Sequence, residues 1–409
     1  MNRPSHSRPH PGSADRPVPR HLVTLALLIA ALGIPHPAHA GAIAWRGLLD
    51  VAAAEWSNAY DLNRLTRGDA PYDAYRLRLF ADAQVSEHLQ LISQFVYADA
   101  SGPYVDGIYA SYTPWTDRDA HLLAGKVPWP VGTFAPRTYS NVNPLLTAPL
   151  IYQYHSSLTW YALPPTTDIL LAAAGSGQSG VDYFGYPMGR GMPIVDDSYW
   201  DVGVIANGSQ RPLEYALGVV AGAPGWGSTA RDDNPGKSVL GRVGLLPVPW
   251  LRIGASGAYG PYLSYDVGST LPPGRSVDDY NQVLAMADLG VQAGHLELNA
   301  EGARNTWQTP TVGDLRVDAG YVELKYQFLA GAYAAGRWDV ERFGRIQDSA
   351  GDRLPWDADV TRVEAGLGYR FSRGTLGKLV YQHNTLDNGR AGDPRLKRSI
   401  VAAQLSIGF

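Results

Sequence analysis

Arg76 and Arg78 stand two residues apart, and Asp82 follows on the same parity. Side chains in an extended strand repeat every second residue, so these three would share one face. Lining a channel, such charges set up a fixed field that orients polar solutes and favours ions of one sign. Arg242, Arg252, Arg337, Arg362 and Arg370 are further cations of this kind, and Asp201, Glu214, Glu297, Glu301, Asp339 and Glu364 are further acids. With Arg137 the Arg76–Arg78 row would form a cationic ladder facing acids across a lumen, and Lys126 joins the two arginines in a candidate cluster. Ordinary mutual pairing of solvated charges is the other use of the same residues.

His155 and Ser157 are also two apart. On a strand they would offer a base and a hydroxyl on one side, the start of a nucleophilic hydrolase once a third polar group orients the imidazole. The pair resembles the His-x-Ser pair of outer-membrane phospholipases, although that family has a smaller barrel and no Asn or Asp partner is evident here. Cys is absent, which excludes a disulfide scaffold, a Cys-bearing metal site, a thiol nucleophile and a lipidated Cys. His121 and His383 are isolated and suggest no metal site, and Asp232-Asp233-Asn234 reads as a solvated loop. No cofactor is implied. A net charge of −4 is too weak to suggest nucleic acid.

The elements that must carry these charges read as strands. Val401, Ala403, Leu405, Ile407 and Phe409 alternate with Ala402, Gln404, Ser406 and Gly408. Val363, Ala365, Leu367, Tyr369 and Phe371 alternate with Arg362, Glu364, Gly366, Gly368 and Arg370, and Tyr75, Leu77, Leu79 and Ala81 alternate with Arg76, Arg78, Phe80 and Asp82. About sixteen such segments can be counted, each of strand length, with eighteen possible. Short connections (85–88, 113–120, 207–212, 247–250, 289–294, 372–376) tend to alternate with long ones (58–71, 224–237, 261–280, 342–356, 386–397). A closed antiparallel barrel with tight periplasmic turns and long extracellular loops explains that sorting; a soluble sandwich does not.

The composition agrees. Charged residues are only 18%, Gly is 45 of 409, and 24 Tyr plus 11 Trp outnumber 8 Phe. Tyr and Trp have an apolar body and a polar tip, which suits a membrane–water boundary. Trp45, Tyr75, Trp338, Tyr369 and Phe409 fall on outward faces as interface residues, whereas Tyr109 and Tyr333 are placed to point inward. Residues 1–40 read as an export signal: Arg3, Arg8, Arg16 and Arg20 precede an apolar run from Leu22 to Ile34, and Pro35, Pro37 and Ala38-His39-Ala40 follow it. Removing them leaves 30 basic and 37 acidic residues, a net charge of −7. Residues 41–409 then form one domain. Its outlying stretch, 131–198, is far longer than any other connection and should be functional. Ile169–Ala173 within it reads as a further strand or a short helix.

Taken together, the export signal, the alternation and the final strand Ser399–Phe409 resemble the porin superfamily of Gram-negative outer membranes. Gly125-Lys126-Val127-Pro128-Trp129-Pro130-Val131-Gly132 resembles the passage by which phosphate- and carbohydrate-type porins enter their constriction loop. The resemblance implies a passive channel for small hydrophilic solutes or anions, not an enzyme. It implies a homotrimer in a lipid bilayer beside lipopolysaccharide, with the Phe409 strand read by the barrel-assembly machinery. It also implies that 131–198 folds inward and narrows the pore. A cap over the mouth, an outward loop that binds a partner, or a hydrolase built on His155 and Ser157 are the other readings.

Overall fold

In the computed structural model, residues 43–57, 75–98, 102–176, 191–196, 199–227, 232–390 and 396–409 are described. The export signal therefore lies outside the described residues, as do 58–74 and parts of the 131–198 segment. The strands are β1 (Ile43–Ser57), β2 (Tyr75–Gln84), β3 (Leu89–Ala98), β4 (Gly102–Tyr112), β5 (Asp119–Pro128), β6 (Trp200–Gln210), β7 (Leu213–Val220), β8 (Ser238–Val248) and β9 (Leu251–Pro261). They continue as β10 (Asn281–Ala293), β11 (Leu296–Trp307), β12 (Leu315–Leu329), β13 (Ala332–Phe343), β14 (Arg345–Gln347), β15 (Arg353–Pro355), β16 (Asp359–Arg370), β17 (Thr375–Asp387) and β18 (Leu396–Gly408).

Sixteen of these close into one antiparallel barrel in chain order, with β1 against β18; β14 and β15 form a separate hairpin in the loop between β13 and β16. Closure is made by Leu48 opposite Gly408 and by reciprocal bonds between Gly47 and Phe409, at 2.8 and 3.0 Å. The Phe409 ring lies over Gly47, where a side chain would collide with it. The strands hydrogen-bond in turn around the closed barrel, the arrangement by which extended chain crosses a bilayer.

Alternation sorts the two faces as the sequence implies. On β16, Val363, Leu367 and Tyr369 are exposed, while Arg362 and Glu364 between them are fully buried. On β18, Val401 and Leu405 face out and Ala402, Gln404 and Ser406 face in. Tyr369 and Phe371 meet edge to face at 4.9 Å near the short-turn end, the same end as Phe409 and the half-buried Trp45. Tyr75 marks the long-loop end. Trp338 is exposed as expected, but it sits midway along β13 opposite Val322 and Val363, so it belongs to the middle of the apolar band rather than to its edge.

Two features depart from a simple water-filled barrel. The run Ile169–Ala173 is helical: α2 (Thr167–Ala172) starts where Thr166 accepts from the Ile169 N–H at 3.3 Å, so the segment adds no strand and the barrel keeps sixteen. A shorter helix, α1 (Leu150–Gln153), is buried throughout. The 131–198 segment also brings an apolar core into the barrel. Phe134, Leu150, Ile151, Tyr152, Leu158 and Ile194, with Trp129 just before the segment, pack against inward-facing Leu123, Val127, Ile205, Leu284, Trp307 and Val317 from the wall. Toward the long-loop end the lumen is thus lined by apolar side chains because the insert covers them.

Candidate functional site: the lumen and its insert

On the β1–β2 wall, Asp50 stands between the two expected cations. Arg76 Nη2 is 3.1 Å from its carboxylate and Arg78 Nη1 is 3.6 Å away. The insert closes on this group: the Ser140 hydroxyl donates to Asp50, and the Arg78 guanidinium lies 5.6 Å from the centre of the Tyr139 ring. Tyr139 donates to Gln94 at 2.8 Å and Gln94 donates to Asp106 at 2.7 Å. Burial lifts the Tyr139 phenol to about 12, so it is neutral and acts as a donor.

The opposite wall carries a denser network. Arg337 donates to Glu364 at 2.6 Å, Asp339 at 3.1 Å and Glu323 at 3.3 Å, and to the Thr147 hydroxyl of the insert at 2.6 Å. Arg362 donates to Asn384 at 2.8 Å and to Gln153 of α1 at 2.9 Å. Glu364 accepts from the Leu146 and Thr147 N–H groups at 3.1 and 3.2 Å, and Asp339 accepts from Leu150 N–H at 3.1 Å. Further along, Glu301 accepts from both the backbone and the hydroxyl of Thr133 at 2.6 Å and from the Tyr152 phenol. These charges serve structure: they bind the insert and one another. A buried pair gives back much of its Coulomb energy in desolvation, and these charges also hold the insert through its backbone N–H groups and the Thr147 hydroxyl.

The expected residues therefore divide. Arg76, Arg78, Asp82, Arg242, Arg337, Arg362 and Glu364 occupy the inner face. Arg242 joins Asp288 at 2.7 Å and Glu214 at 3.3 Å, and Asp82 joins Arg46 at 2.5 Å near the short-turn end. Arg370 reaches Asn141 O of the insert at 2.9 Å. Arg137 does not extend the Arg76–Arg78 row: it pairs with Glu323 on the opposite wall. There it opens on a cavity of about 310 Å³ near the short-turn end, shared with Arg252, Glu297 and Asn299. Lys126 is not in the lumen. Leu123 and Val127 point inward, so Lys126 lies on the outer face opposite exposed Val202 and Ile108, and its ammonium reaches Val105 O at 2.6 Å. Tyr109 and Tyr333 point inward as expected; Tyr109 lines a cavity with Arg78, and Tyr333 donates to Pro144 O at 3.0 Å.

His155 and Ser157 sit inside the insert, 4% and 5% exposed. His155 Nδ1 is 2.5 Å from Gly191 O, and Ser157 is held by its backbone N–H against Asp357 at 2.8 Å. Asp357 also accepts from Gly175 N–H at 2.5 Å. Asp357 is the acid the sequence did not bring to the pair, and it meets the main chain of Ser157.

Several residues of the site escaped sequence reasoning. Lys378 places its ammonium among three insert carbonyls, Leu145 at 2.8 Å, Ser140 at 2.9 Å and Asn143 at 3.2 Å. Its position on the inward parity of β17 was available, since Leu379 and Tyr381 alternate with it as outward residues. Asp50 was equally available on β1. Glu323 was likewise available on β12, between outward Val322 and Leu324, whereas Gln94 and Asp106 flank a bulge that no local pattern supplies.

No protein-family model matches the sequence, and no curated protein matches it. Solved structures do share the fold. An anion-selective porin from Comamonas acidovorans superposes with a TM-score of 0.57 at 10% identity, over 90% of this chain and 100% of that one. OmpT, an outer-membrane protein of Vibrio cholerae, gives 0.54 at 14% identity over 91% and 99%. Salmonella typhi OmpF, in a complex with daunomycin, gives 0.52 at 12% over 90% and 98%. The chain has the sixteen-stranded fold of Gram-negative outer-membrane porins.

Proposed function

We propose that the chain is an outer-membrane channel through which small hydrophilic solutes or anions diffuse passively, with 131–198 as its constriction. The observation that carries this reading is an inward-folded insert held by charged inner-face residues, from Thr133 on Glu301 to Thr147 on Arg337. In this reading residues 1–40 direct export, the Phe409 strand is presented to the barrel-assembly machinery, and the outer face meets lipid and lipopolysaccharide. The assembly is a homotrimer; the Vibrio cholerae OmpT fold has a trimer form.

Arg76 and Arg78 are the candidate selectivity groups. Of the two, Arg78 has the weaker hold on Asp50 and lines open space. Planar-bilayer recording of the purified full chain tests the reading. Discrete conductance steps are expected, with a reversal potential in a salt gradient that shows anion preference. No current at any voltage would overturn the channel, and cation preference would overturn the role of the arginines. The burial of His155 and Ser157 within the insert weighs against a hydrolase acting on membrane lipid. Phospholipid hydrolysis that disappears in Ser157→Ala would reverse that judgement.

A further inference from the structure

The insert does not fill the barrel evenly. Between it and β2–β6 it leaves a cavity of about 360 Å³, within the range of small-molecule sites. Tyr109, Trp129, Tyr139, Tyr199 and Trp200 supply five aromatic rings to its walls, with Tyr109 and Trp200 6.1 Å apart. Gln94, Thr138 and the tyrosine hydroxyls also line it, and beside them stand polar groups of two kinds. Arg78 is 6% exposed, and among the described residues neither its Nε nor its Nη1 makes a hydrogen bond; the Trp129 indole N–H is likewise unbonded among them. These are donors. Asn207 contributes a buried carbonyl oxygen with no bonded partner among the described residues, and Asp106 contributes a carboxylate. These are acceptors.

We propose that this cavity is a subsite for a zwitterion with an aromatic side chain, the chemistry of an aromatic α-amino acid. The carboxylate goes to Arg78 and the Trp129 N–H, the ammonium goes to Asn207 and Asp106, and the ring goes among the aromatic walls. Arg78 and Asp106 present opposite charges to the same cavity, so a zwitterion can pair with both signs at once. The buried guanidinium is where a charge-assisted bond is strongest.

The inference names a solute for the channel reading and rests on it. The test uses purified full-length barrel titrated by saturation-transfer NMR with L-phenylalanine, 3-phenylpropanoate, 2-phenylethylamine and D-glucose. L-Phenylalanine is expected to bind, and each analogue lacking one charge to bind about tenfold more weakly, the loss of one charge-assisted bond. Glucose is expected to bind more weakly still. Arg78→Gln should lower L-phenylalanine to the level of 2-phenylethylamine, and Asn207→Leu should lower it toward 3-phenylpropanoate. If Arg78→Gln does not fold, Asn207→Leu decides alone. Equal binding of 3-phenylpropanoate, tighter binding of glucose, or no binding of L-phenylalanine would overturn the subsite. A barrel that conducts without binding loses only the subsite; one that binds without conducting loses only the channel.

Discussion

The ammonium of Lys378 lies 2.8 Å from the carbonyl oxygen of Leu145, at the end of a side chain that β17 turns into the lumen. Ser140 and Asn143 present carbonyls to the same group, so one buried cation gathers a turn of the insert against the wall. Lys378→Met keeps the length of the side chain and removes its donors. Leaving buried carbonyls unsatisfied costs about 1–3 kcal/mol for each group. The expected result is a barrel that still folds, with its insert loosened at 140–145: single-channel conductance rises and the insert becomes sensitive to protease. Unchanged conductance with an unchanged digestion pattern would show that the insert is held elsewhere.

Tyr333 holds the same turn from the neighbouring wall, and it does so only because position 368 has no side chain. Its ring covers Gly368 on the adjacent strand, where a Cβ would overlap it, while its hydroxyl donates to Pro144 O. Gly368→Ala must push the ring away and break that bond. Overpacking of this kind costs about 1–3 kcal/mol. The expected outcome is a lower denaturant midpoint together with a conductance rise like that expected for Lys378→Met. Adding Tyr333→Ala should recover part of the stability but not the conductance, because the clash is gone and the anchor is still missing.

How far the sequence led depended on whether a feature was local. Two-residue alternation is a property of the extended backbone, so Val363 outward and Arg362 inward could be read without knowing any neighbour. Short turns against long loops gave the sixteen strands for the same reason. Lys126 failed because its surroundings invert the rule. Leu123 and Val127 face inward on an apolar insert, and the cation is left outside. Nothing within β5 announces that its lumen is filled by residues from the long segment that follows. Arg137 failed likewise: its partner Glu323 is 186 residues away. Trp338 faces lipid as its parity implies but lies at mid-height, since parity fixes orientation and not height.

The placement of Lys126 makes the selectivity question sharper. A charge on the outer face is separated from permeating ions by the barrel wall, so Lys126→Gln should leave the reversal potential in a salt gradient unchanged. Arg78→Gln, at the cavity wall, should move it toward cations. Both variants can be recorded in the same bilayers. A shift in Lys126→Gln equal to that in Arg78→Gln would mean that Lys126 reaches the conduction path after all.

Asp357 ties the insert to the rim of the barrel and makes that tie sensitive to pH. It lies outside the strands, just before β16, and accepts N–H bonds from Ser157, Gly175 and Ala358 at 2.8, 2.5 and 2.7 Å. Burial raises its carboxyl from the ordinary 3.8 to about 7, against those three bonds, which favour the charged form; Tyr154 and Glu341 are its other close ionisable neighbours. A carboxyl whose pKa is higher in the folded chain binds its proton more tightly there. The folded state is therefore favoured while the group is protonated and loses that advantage as pH climbs from the ordinary value through about 7. Thermal unfolding of the full chain from about pH 5 to about pH 8 should show a falling denaturation temperature with a component centred below 7. Asp357→Asn keeps an oxygen acceptor and removes the titration, so the difference between the two curves should narrow at low pH and widen, in favour of the variant, at high pH. Parallel curves would mean that Asp357 stays charged across the range and that its three N–H bonds outweigh its burial.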